Sequence, residues 1–177
     1  MSFYELCEKR QSCRSFAQDR EIEREKLYRI IEAGRLSPSA CNGQPYLMTL
    51  VLGNMRAGVV KAVTGMGMNK FTKDAAAFIV ISEEGYVPSA ALGAKVKGND
   101  YRSIDIGILA ANLTLAATEE GLGSCILGWL DDGALRELLS LDRPVRLVIA
   151  LGYPSEGDKQ REKKRKPTDE LLKVKGE

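Results

Sequence analysis

The chain has 177 residues, no histidine, and 26 Lys/Arg against 24 Asp/Glu, a net charge of +2. That near balance excludes a global electrostatic draw toward nucleic acid or a lipid surface, and the missing histidine removes the commonest acid–base side chain near neutral pH. A hydrophobic content of 44% in one chain of this length supports a single domain with a real core.

Taken in chain order, Phe3 to about Lys9 reads as a short helix, with extended chain over residues 10–14. A second helix over 23–36 sets Leu27, Ile30 and Ile31 on one face and ends at Ser37-Pro38, because proline disfavours helix in the residue before it. A strand is expected over 46–52, punctuated by Gly53-Asn54, then a helix over 55–63. Residues 77–82 form a continuous apolar run, the pattern of a buried strand. Residues 85–100 carry Pro88, Gly93 and Gly98 and read as a loop or lid, with room for a short helix.

The strongest helix signal covers 103–120. Ile104, Ile108, Ala111 and Leu115 line one face and the other faces are largely apolar, so the helix is expected to be buried nearly all round, in a core or a subunit interface. Gly121 ends it. Extended chain over 124–130, a helix over 131–140 and a strand over 146–151 follow, and Gly152-Tyr153-Pro154 closes the globular part. The expected organisation is a domain over 1–155 and an arm over 156–177. Helices interleaved with short apolar strands, on connections too irregular for βαβ units, give an α+β class.

Cys7, Cys13, Cys41 and Cys125 form no C-x-x-C pair, so a metal site of the usual spacing is not expected, and each reads best as a small buried hydrophobe. The opening Met1-Ser2-Phe3-Tyr4-Glu5 lacks a basic stretch followed by an apolar run. The expectation is a cytoplasmic protein with reduced thiols and no membrane span.

Several segments bear chemistry. Arg10, Ser12 and Arg14 alternate, so in extended chain they point to one side. Two guanidiniums flanking a hydroxyl suit a phosphate, and a pair of solvated arginines is the other reading. Ser39, Asn42 and Gln44 offer amides and a hydroxyl to the edge of a heterocycle, or belong to an ordinary connecting loop. Asn69, Lys70 and Lys73 precede the buried strand, where a lysine would stabilise negative charge on a reduced ring or lie solvated. The glycines of 121–128 are no dinucleotide fingerprint: the segment follows a helix, and Ile126 stands where the third glycine is required. They suit close backbone approach to a flat ligand. Residues 159–166 hold six cations against Glu162, which leaves nucleic-acid contact, a solvated arm and a reach toward phosphate as readings. Without histidine, a bound cofactor is the natural source of reactivity.

Five stretches together carry a resemblance: Arg10-Gln-Ser-Cys-Arg14-Ser-Phe16, Leu36-Ser-Pro-Ser-Ala-Cys-Asn-Gly-Gln-Pro45, Asp105 to Ala117 running into Gly121-Leu-Gly-Ser-Cys125, Leu151-Gly-Tyr-Pro154, and Lys163-Lys-Arg-Lys-Pro167. In this order the chain resembles the FMN-dependent nitroreductase-like flavoproteins over nearly its whole length. The resemblance implies a mixed, mostly antiparallel sheet flanked by helices, and an intertwined homodimer with FMN at the interface. It implies that Arg10, Ser12 and Arg14, with Lys163 and Arg165, hold the phosphate and the pyrimidine edge. Gln11, where relatives commonly carry a basic residue, belongs to the same set, and Asn69 is expected at the pyrimidine edge. Ser39, Asn42 and Gln44 are expected from the partner chain, and Ile126, Leu127 and Gly128 along one face of the ring. Arg14 or Lys73 is expected to stabilise charge on the reduced ring, and Tyr46 stands where many relatives have tryptophan. The implied activity is electron transfer from NAD(P)H to nitro, quinone or related small acceptors by a ping-pong cycle. A flavin carrier without efficient turnover is the alternative; neither reading calls for nucleic acid or membrane as a partner.

Overall fold

The computed structural model describes residues 1–176. Its centre is a four-stranded sheet in the order β1 (Tyr46–Val51), β2 (Ala77–Glu83), β4 (Val145–Gly152), β3 (Gly123–Leu127). Every neighbouring pair of strands is antiparallel; the parallel element is an isolated bridge between Ser12 and Ser124. β2 and β4 are central and almost wholly buried, which is why they read as unbroken apolar runs.

Alternation along β2 divides the core. Phe78 and Val80 point to one side, where Val59 and Val63 of α3 (Arg56–Val63) and Leu135 of α6 (Asp132–Leu139) cover them. Ala77, Ile79 and Ile81 point to the other, under Leu27 and Ile30 of α2 (Arg24–Arg35) and Leu109 and Leu113 of α5 (Tyr101–Glu119). The result is a sheet with a helix layer on each face, in the α+β class the sequence implies.

α1 (Phe3–Lys9) starts on a capping box between Ser2 and Glu5. The segment after it runs extended along the exposed edge of β3. Cys13 N donates to the Ser124 carbonyl at 2.9 Å and Ala17 N to the Tyr153 carbonyl at 2.8 Å. This contact is possible because two positions lack a side chain. A Cβ on Gly123 would sit 2.6 Å from Cys13 Sγ, and one on Gly152 2.8 Å from the Phe16 ring. The N-terminal segment thereby covers a sheet edge that would otherwise be open.

Residues 85–100 contain more order than their composition suggests. α4 (Pro88–Lys97) has proline in its first turn and a left-handed Gly98 after its last. Glu83 accepts from both Arg102 and Arg146, which ties the start of α5 to the sheet.

The two sides of α5 differ in burial within one chain. Ile106, Leu109, Leu113 and Ala117 face the core. The row of Ile104, Ile108, Ala111 and Leu115 is the one left open, and Ile104 is 48% exposed. The expected burial of the cysteines holds for Cys13 and Cys125, whereas Cys7 and Cys41 are exposed. After Pro154 the chain lies against residues 8–14 and then forms a short helix, α7 (Thr168–Leu171), that the sequence reading did not anticipate. No helix among the described residues is long and apolar enough to cross a membrane.

Candidate functional site

Arg10 at the start of the extended segment, Ile126 of the edge strand β3 and the arm converge on one cavity of about 650 Å³, within the range of small-molecule sites; Gln11, Ser12 and Arg14 do not line it. Arg10, Lys163 and Arg165 supply cations to its wall. Ile126, Ala111 and Leu115 supply an apolar side, and Tyr4 and Cys7 come from α1. Arg10 and Lys163 are 153 positions apart, and the Lys163 ammonium donates to the Arg10 carbonyl.

Positive charges crowd one another on this wall. Partial burial pushes the Lys163 ammonium below the ordinary lysine range, and the nearby charges of Arg10, Arg165 and Arg161 push it further the same way. A phosphate would relieve that repulsion. Arg14 is exposed, and its positive charge acts on the Cys125 thiol, whose pKa burial nonetheless raises.

β3 presents its residues alternately. Ile126 is 41% exposed and faces the cavity, Leu127 turns into the core, and Gly128 is exposed. A flat ligand on this side would therefore meet the Ile126 side chain and only the backbone of Leu127.

Other expected site residues have different surroundings. Gln11 is taken up by the arm: its Nε2 reaches Asp158 at 3.3 Å and the Lys159 carbonyl at 3.2 Å, and its Oε1 accepts from Arg161 N at 3.0 Å. The Ser12 carbonyl accepts from the Arg161 guanidinium at 2.5 Å. Asn69 sits in left-handed conformation, and its Nδ2 donates to the carbonyls of Val63 (3.0 Å) and Trp129 (3.3 Å), pinning two loops together. Lys73 lines a separate depression with Arg20, Arg56 and Asp74, so the expectation that it serves the same site is not met within this chain.

Ser39, Asn42 and Gln44 form their own small unit. Gln44 N donates to Ser39 Oγ at 3.0 Å and Gln44 Nε2 to the Asn42 carbonyl at 3.1 Å. Asp105, a buried carboxylate on α5, holds the unit by accepting from Ala40 N at 3.1 Å. Asp105 and the cavity-lining Gly107 are separated by about 200° around the helix. Within one chain, α5 therefore stands between this loop and the cavity. The sequence reading gave Asp105 and Asp158 no role; an acid near the start of a largely apolar helix was the available signal for the first.

Comparison with known proteins gives the chain a family. The Nitroreductase family model matches residues 7–66 and 59–153. A Streptococcus pyogenes protein with the provisional name NAD(P)H nitroreductase is 28% identical, across 97% of this chain and 98% of that one. The crystal structure of a nitroreductase family protein from Streptococcus pneumoniae superposes with a TM-score of 0.82 at 25% identity, covering 98% of this chain and 100% of that one. An FMN-dependent nitroreductase from Clostridium difficile superposes with a TM-score of 0.75, also at 25% identity, covering 98% and 99%.

Proposed function

Because the chain belongs to the nitroreductase family, we propose that it is an FMN-dependent oxidoreductase passing electrons from NAD(P)H to nitro, quinone or related small acceptors. The observation that carries this reading is the convergence of Arg10, Lys163, Arg165 and Ile126 on one cavity. Three cations suit a phosphate dianion, and the apolar wall beside them suits a flat ring.

In this reading Arg10, Lys163 and Arg165 hold the phosphate, and Ser12 and Arg14 continue along the ligand toward the pyrimidine edge. Ile126, Leu127 and Gly128 back one face of the ring. Asn69 commits its amide nitrogen to two carbonyls, so its oxygen is the group that would meet a ring N–H. Bound FMN supplies the redox chemistry that the side chains of a histidine-free chain do not. The cationic cluster favours the more negative, reduced form of the ligand.

Ser39, Asn42 and Gln44 enter from a second copy. The open row of α5, with exposed Phe3 and Tyr4 of α1, is the apolar surface on which that copy sits. The kinetic pattern expected is ping-pong, and the setting the cytoplasm.

A flavin spectrum tests the reading. The purified protein should retain FMN, lose its yellow colour anaerobically on adding NADH or NADPH, and regain it with a nitro compound or quinone. A yellow protein that neither nicotinamide bleaches would be a carrier, and a protein that takes up no FMN would refute the proposal.

A further inference from the structure

The arm is strongly basic, yet what fastens it is an acid. The Asp158 side chain is only 3% exposed. Its carboxylate accepts from Arg161 Nη1 at 2.8 Å and from Gln11 Nε2 at 3.3 Å. Around it, Arg161 N donates to Gln11 Oε1, Arg161 Nη2 to the Ser12 carbonyl, and Gln160 Nε2 to the Glu8 carbonyl. Burial alone would push the Asp158 carboxyl up. The Arg161 guanidinium and the Cys13 thiol outweigh that and hold it below its ordinary value, so it stays charged at neutral pH. Asp158 lines a small separate cavity of about 140 Å³ and does not line the larger one that holds Arg10, Lys163 and Arg165.

We propose that Asp158 is a positioning residue for the phosphate end of the site: its buried carboxylate latches the arm across residues 10–14 and so sets Lys163 and Arg165 against Arg10. This rests on the FMN reading given above. The latch has a consequence of definite sign. Through its field alone, an aspartate near a cationic cluster weakens anion binding, so neutralising it would tighten the site. If the latch dominates, neutralising Asp158 leaves Arg161 and Gln11 without their buried partner, frees the arm, and weakens the site instead.

Two measurements on the full-length protein separate these outcomes. The first is trypsin cleavage within residues 159–166 in the absence of flavin, where Asp158→Asn should be cut about tenfold faster than wild type. The second is the dissociation constants of FMN and riboflavin, read by quenching of flavin fluorescence. Asp158→Asn should bind FMN about tenfold more weakly and riboflavin unchanged, because riboflavin lacks the phosphate that Lys163 and Arg165 meet. Asp158→Glu should recover part of the FMN affinity. Gln11→Ala keeps every charge and breaks the same latch from the other side, so it should shift both readouts in the same direction even if Asp158→Asn folds poorly.

Tighter or unchanged FMN binding in Asp158→Asn and Gln11→Ala would overturn the proposal, as would an equal loss for FMN and riboflavin. If wild type binds neither flavin, the FMN reading falls by itself. The trypsin rates then decide the latch: faster cleavage of the variants supports it and unchanged cleavage removes it.

Discussion

At the scale of single residues, Lys163 links the site most directly to pH. Its ammonium is depressed by burial and by the guanidiniums of Arg10, Arg165 and Arg161. A depressed lysine loses its proton earlier than the ordinary value of about 10.4, and a bound phosphate restores the charged form. FMN affinity should therefore be full at neutral pH. It should begin to fall once pH passes the lowered Lys163 value of the empty site, before ordinary lysines titrate. Titrating FMN binding between about pH 7 and about pH 10.5 should show this early decline, and Lys163→Met should abolish it while weakening binding about tenfold at neutral pH. A wild-type affinity that stays flat into the ordinary lysine range would count against Lys163 as a phosphate ligand. Arg10, Lys163, Arg165 and Ile126 were named together from the resemblance, and the fold brings all four to one cavity. The tie of Gln11 to Asp158 was not legible. It forms only when the fold pairs segments about 150 positions apart, and that pairing leaves no local trace.

At the scale of elements, periodicity located α5 and its apolar character, but did not separate the side that meets the sheet from the side left open. A helix apolar on most sides has a weak directional signal, and the tie is broken by Gly34 of α2, into which Leu113 packs so closely that a Cβ there would lie 2.6 Å from it. α4 was under-read for the opposite reason: its amphipathic signal is weak, although Pro88 and Gly98 mark its ends. The two faces of α5 should answer differently to substitution. Leu109→Ala empties a fully buried position and should cost about 2–5 kcal/mol, read from the urea midpoint. Ile104→Glu places a charge on the open row, away from the cavity lining, and should leave the stability of the isolated chain within about 0.5 kcal/mol. By sedimentation, however, it should prevent the proposed pairing of two copies and abolish FMN retention with it. If Ile104→Glu still sediments as a dimer with FMN bound, the open row is not the interface.

At the scale of the whole molecule, the division of the site between two copies has its own signature. Arg10 and the arm stand on one side of α5, and the Ser39, Asn42 and Gln44 unit, held by Asp105, stands on the other. If each FMN site takes the first set from one copy and the second from its partner, lesions in different copies can complement. Arg10→Ala chains alone should retain little FMN, as should Asn42→Ala/Gln44→Ala chains alone. Refolded together in equal amounts, half the dimers should be mixed. Each mixed dimer carries one site with both lesions and one with neither, so about a quarter of all sites should be intact. Flavin bound per chain after gel filtration measures this directly. Were all these residues to serve a site within one chain, every site would keep one lesion and mixing would restore nothing. Recovery near a quarter therefore requires both a second copy and the opposite placement of the two sets around α5.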